Sequence, residues 1–155
     1  MTHPLKLEMI PEELRMASQS RLIVMIYDEI IDGLNRTIAA AEAGAIQDRF
    51  NASTEVIMLV THLADALDLE QGGEIAQDLA QIYKFIVVHL PWVNLKGDPQ
   101  PARDVLKLVT PLRDAWFELD ARIDEGSVPG HDQTPAIAGL LARTSADMRY
   151  AIAAE

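Results

Sequence analysis

Histidine, glutamate and serine are the residues of this chain that could bind metal or do catalysis, and their spacing argues against each use. A carboxylate-bridged di-metal site in a helical bundle needs Glu-x-x-His on two helices, with further glutamates facing inward. No glutamate here is followed by histidine three residues later. His62 and His89 stand singly on separate stretches and read as partly exposed helix histidines. A phosphorelay histidine is steadied by a lysine three residues on. Those places hold Asp65 and Trp92, and an acid repels a phosphoryl group. Asp28, Glu29 and Asp32 read as a solvated helix face, because an ion-binding loop needs a glycine-turned ligand series. No serine sits in a strand–turn–helix elbow, and no glycine-rich loop could cradle phosphate. The chain has no cysteine, which removes disulfides and thiolate metal sites. The residues imply no catalytic group, no cofactor and no metal, and they disfavour an enzyme or a phosphorelay.

What remains is the chemistry of apolar contact. A bundle helix needs about three apolar positions in seven to face its core. The runs Leu22 to Tyr27, Val56 to Val60 and Phe85 to Val88, with Trp92 just beyond, exceed that. Two accounts fit the excess. The chain's own N-terminal arm and last helix could cover it, or it could form a groove that accepts an amphipathic helix from another protein. Met25 and Met58 suit such an adaptable surface, and Val60 and Val87 join them as groove candidates.

These residues must be positioned by helices. From Leu67 to Leu95, residues Ile75, Leu79, Ile82, Ile86 and Leu90 recur in steps of four and three, the seam of a helix packed nearly parallel to its neighbours. Asp68 with Gln71 has the form of a capping box, and Gly72-Gly73 marks a tight turn. Upstream, Ser18 or Ser20 offers an N-cap for a helix reaching about Ala43, with Ile23, Tyr27, Ile30, Leu34, Ile38 and Ala41 as its stripe. Gly44 is a natural stop. A second helix, from about Ile46 to Leu67, shows Ile46, Phe50, Ser53, Ile57, Val60, Ala64 and Leu67 in register. So short a connection makes the two antiparallel. Pro91 should end or kink the third helix.

After the loop at 97–101, a fourth helix carries Val105, Leu108, Leu112, Trp116, Leu119 and Ile123, with Pro111 inside it. A last helix from about Pro135 to Ala153 shows Ile137, Leu141, Met148 and Ile152 on one side. The predicted fold is all-α, an antiparallel four-helix bundle with an additional C-terminal helix. Its parts are a flexible arm over 1–17, the bundle over 18–125, and a linker with a helical extension over 126–155.

A length of 155 residues suits one domain, and 49% apolar residues can bury a core. A formal charge of -11 repels phosphate backbones and anionic lipid, which argues against nucleic acid and membrane as partners. No run approaches the roughly 18–20 apolar residues of a membrane span, and the N-terminus lacks a signal-peptide core. The expectation is a cytoplasmic protein.

The order of signals resembles the flagellar export chaperones of the FliS family. The matching pieces are RLIVMIYDEI at 21–30, AEAGAIQDRF at 41–50, ALDLEQGGEIAQDLAQIYKFI at 66–86 and LRDAWFEL at 112–119. Tyr27 and Asp28 occupy the family's Leu-Tyr-Asp positions, with Ile26 in place of leucine. Gly72, Gly73 and Glu74 match the turn before the third helix, and Tyr83 and Trp116 match later aromatics, while both also read as core. The resemblance implies a helical bundle without catalysis. Its expected partner is the C-terminal segment of flagellin, kept from premature polymerisation, with the flagellar export apparatus as a further partner. An alternative is a bundle interaction module with a different or self-bound partner. The expected partner-binding residues are Met9, Ile10, Met25, Ile26, Tyr27, Met58, Val60, Tyr83 and Val87. There are departures from the family. The arm has no tyrosine, so Met9 or Ile10 would do any capping of the groove; Ser18-Gln19-Ser20 replaces Ser-Pro; Pro91 interrupts a usually continuous helix; and the chain beyond Gly126 extends past the usual end.

Overall fold

A computed structural model describes the backbone of residues 12–67, 69–70 and 73–124, and the side chains of 21–67, 69–70 and 73–121. The described residues form five helices and no strand: α1 (Glu12–Ala43), α2 (Ile46–Asp65), α3 (Gly73–His89), the short α4 (Trp92–Lys96) and α5 (Gln100–Asp124). The fold is all-α. The expected arm cap at Met9 and Ile10, the capping box at Asp68 and Gln71, and the helix from Pro135 to Ala153 lie outside the described residues.

α1 begins at Glu12, ahead of the serines expected to cap it. Nothing in the residues from Glu12 to Ser20 breaks a helix, and Glu12 and Glu13 favour the positive end of its dipole. It stops at Gly44, whose φ of 69° is open to glycine but strained for a side chain. There the Ala45 N–H donates to the Ala40 carbonyl at 2.9 Å and the Gly44 N–H to the Ala41 carbonyl at 3.3 Å. That pair is the hydrogen-bond signature of a Schellman stop. The chain then reverses directly into α2.

α1 packs most extensively on α2 and α5. Gly33 permits the first approach: a Cβ there would stand 2.6 Å from Val56 Cγ2. Along the second seam, Arg21 pairs with Asp120, Asp28 with Arg113 and Glu42 with Arg103, so α1 and α5 run antiparallel. α3 packs on α2 and only sparingly on α5. It ends before Pro91, as expected, and α4 then crosses to α5. α5 starts cleanly because the Asp98 carboxylate accepts from the Gln100 N–H at 2.9 Å, while Pro99 and Pro101 have no N–H to satisfy. Its core face is Ala102, Val105, Val109 and Leu112.

Tyr27, Ile30 and Leu34 of α1 meet Val56 and Val60 of α2, Leu79, Ile82 and Ile86 of α3, and the α5 face in one core. The α2 stripe is a correction. Ile46 (69% exposed) and Phe50 (53% exposed) lie outside, while Arg49, Ala52, Ser53, Val56, Val60 and Leu63 turn inward. The inward face is small and polar near α4 for a reason. Arg49 Nε donates to Asn94 Oδ1 at 3.1 Å, Asn94 Nδ2 donates to Ser53 Oγ at 3.0 Å, and Ser53 Oγ donates to the Phe50 carbonyl at 3.0 Å. This chain of hydrogen bonds ties α4 onto α2 and satisfies groups that burial would otherwise penalise.

Candidate partner-binding surface

The expected binding residues divide between core and surface. Tyr27 and Val60 are fully buried and Tyr83 is 3% exposed, so these three hold the bundle together and offer no surface in this arrangement. The Tyr27 and Tyr83 hydroxyls share a hydrogen bond of 2.7 Å across the core, joining α1 to α3. Burial raises the Tyr27 pKa well above the ordinary tyrosine value and pushes Tyr83 up to about 12. Both are neutral polar pins at any physiological pH.

Met25 and Met58 are exposed, while Ile26 and Val87 are half-buried. Met25, with Leu22, stands on the outer side of α1, and Met58 belongs to α2. On α2 the side turned to α1 is marked by Ala52, near Gly33, and by Glu55, which pairs with Arg36 at 3.0 Å. At 100° per residue, Ile46, Phe50 and Ile57 fall on the opposite flank and Met58 points outward. That flank borders α3, where Val87 is half-buried and Val88 exposed. The α2–α3 edge therefore carries Ile46, Phe50, Ile57 and Val87, with Met58 and Val88 pointing outward beside it and the exposed Leu95 of α4 near its Ile46 end.

Ile46 and Phe50 were not anticipated as surface residues, whereas Val88 belongs to the surplus run Phe85 to Val88. The signal that could have found them is the competing wheel through Ala52, Val56, Val60 and Leu63, which leaves Phe50 outside. Exposed apolar residues gathered in this way mark an interaction site more often than scattered ones do.

The histidines bear no catalytic geometry. His62 is exposed, but His89 is buried, against the expectation of partial exposure. Phe85 stacks on its ring at 4.8 Å, and Nε2 lies 3.1 Å from Asp104 Oδ2, so His89 is a tie between α3 and α5. The acids of α1 are exposed as expected, though Asp28 and Asp32 also pair with Arg113 and Arg36. Among the described residues no cluster of three or more His, Cys, Asp or Glu could hold a metal ion. No helix among them is long and apolar enough to cross a membrane.

The family described as flagellar protein FliS matches residues 8–123. The flagellar secretion chaperone FliS of Vibrio cholerae is 28% identical over 110 residues, covering 71% of this chain and 81% of the relative. Its namesake in Salmonella typhimurium is 30% identical over 107 residues, covering 68% and 79%. The flagellar secretion chaperone FliSB of Pseudomonas aeruginosa is 26% identical over 100 residues, covering 64% and 79%. Matched over most of its length and through every helix described above, the chain belongs to the FliS family, a family of chaperones and not of enzymes.

Proposed function

We propose that the protein is a cytoplasmic flagellar secretion chaperone and that its client is the C-terminal segment of flagellin, held along the α2–α3 edge. The observation that carries this reading is the set of exposed apolar side chains on α2 and α3, Ile46, Phe50, Met58 and Val88, on a bundle whose core is already filled. A surface of this form suits an amphipathic segment that orders as it binds, its anchors recurring at helical spacing. Covering the client's apolar face would keep it from pairing with other flagellin copies before export. Delivery to the flagellar export apparatus would then follow from handing over an unpolymerised chain. The surface acidity disfavours nucleic acid and anionic lipid as competing partners.

Calorimetric titration of the full chain with a flagellin C-terminal peptide tests the proposal. The expected result is saturable binding with a negative heat-capacity change. Met58→Asp should weaken it about tenfold or more, since burying a methionine side chain is worth roughly 1.5–3 kcal/mol. Failure of the unaltered chain to bind the peptide rejects flagellin as the client. Equal binding by Met58→Asp rejects the α2–α3 edge.

A further inference from the structure

The same edge has a second candidate occupant within the chain. We infer that residues 135–153 dock as a helix along the α2–α3 edge and compete there with the client. The competition rests on the client reading above; the docking does not.

Ile137, Leu141, Met148 and Ile152 recur at steps of four, seven and four, which gathers them on one side of a helix and spans roughly 22 Å. On α2, Ile46, Phe50 and Ile57 lie within about 40° of one another and span roughly 16 Å. Both stripes are apolar, and the longer can cover the shorter end to end. The family match stops at residue 123 and α5 at Asp124, so this segment is additional to what the family shares. Its starting place is favourable. α5 runs antiparallel to α1, so Asp120 lies beside Arg21, at the end of the bundle where α2 finishes and α3 begins. From Asp124 the chain can span up to roughly 33 Å over residues 125–134, against helix separations of about 8–10 Å.

Charge points the same way. Residues 135–153 carry Arg143 and Arg149 against Asp147 alone, within a chain of net charge -11. A weakly basic helix is therefore attracted to the rest of the molecule. Tethering adds to this: a short linker supplies an effective concentration in the millimolar range, so a modest contact is well populated.

The chain has no cysteine, so a single Ala146→Cys can carry a spin label in the full-length protein. Paramagnetic broadening of methyl signals is then read without any client present. The expected result is broadening at Ile57, Met58 and Val88, sparing Leu22 and Met25 of α1, and relieved when Leu141→Asp is added. Absence of broadening at the α2–α3 edge overturns the docking, as does broadening confined to α1 or to Phe117 of α5. Broadening that appears only when labelled and unlabelled copies are mixed assigns the edge to a second copy and overturns it too. With flagellin peptide, Leu141→Asp should bind about tenfold more tightly, the factor expected when the open form is a tenth of the population. A chain that shows the broadening but ignores the peptide keeps the docking and loses the client. A chain that binds the peptide equally with and without Leu141→Asp loses the competition.

Discussion

α1 meets its two main neighbours in a different way from that in which α2 meets α3. Along α1 the seams are closed: Gly33 lets α2 approach to side-chain contact, and Arg21, Asp28 and Glu42 each find an opposite charge on α5. Along α2–α3 the rim carries Phe50, Ile57 and Val87, apolar side chains where the other seams carry charged pairs. Each exposed ion pair is worth at most about 1 kcal/mol, so they do not explain the bundle's stability. What they do is finish a surface, making it unattractive to apolar partners. The edge without that finish keeps its apolar side chains open to solvent.

Alkaline pH should strain this comparison most. The Tyr27–Tyr83 pair crosses between the two halves, and both hydroxyls ionise above the ordinary tyrosine value because they are buried. An unfolded tyrosine gives up its proton near pH 10. The folded chain keeps it, so this contribution is intact below about pH 10 and is lost as pH climbs toward the Tyr83 value of about 12. Denaturant titrations should show stability falling by about 1.4 kcal/mol per pH unit for each tyrosine held neutral.

Next in size is Tyr27→Phe, which leaves the buried Tyr83 hydroxyl without its partner. It should cost about 1–3 kcal/mol, and adding Tyr83→Phe should cost less than the single changes predict by simple addition.

Gly33→Ala should come third, with a sign opposite to helix propensity. Alanine gains about 1 kcal/mol over glycine in a helix, but this Cβ meets the stiff, buried Val56 and overpacks at about 1–3 kcal/mol. In a Val56→Ala background the same change should become neutral or stabilising, which thermal melts would show. Smallest are Arg113→Ala, under about 1 kcal/mol, and Met58→Asp, within about 0.5 kcal/mol. A large loss of stability from Met58→Asp would mean that the α2–α3 edge belongs to the core, and the contrast drawn above would collapse.

Much of this was legible from periodicity. The α1 and α3 stripes turn inward where Tyr27, Ile30 and Leu34, and Leu79, Ile82 and Ile86, lead. Gly44 and Pro91 end their helices because each has a backbone requirement that its neighbours cannot evade. α2 misled because it is apolar on two flanks, and the larger side chains, Ile46 and Phe50, claim the wheel that Ala52 and Val56 in fact occupy. What decided the matter was not on α2 at all. Asn94 gives Arg49 a hydrogen-bonding partner, and a glycine at 33 gives Val56 room. The same limit hid the apolar edge. An excess of apolar residues can be counted along the chain, but which of them are surplus depends on the partners the rest have found. The methionines at 25 and 58 and the run ending at Val88 were visible as surface candidates, whereas Ile46 and Phe50 needed the packing.

The seam between α1 and α5 also bears on how the molecule is made. Asp28 pairs with a residue 85 positions later, so the first helix off the ribosome waits for the last described helix before its hydrophobic face is closed. Long-range closure of this kind slows folding and prolongs the life of sticky intermediates. During synthesis the nascent α1–α2 hairpin is thus itself an unsheltered apolar surface, and a member of a chaperone family passes through that hazard on its own account.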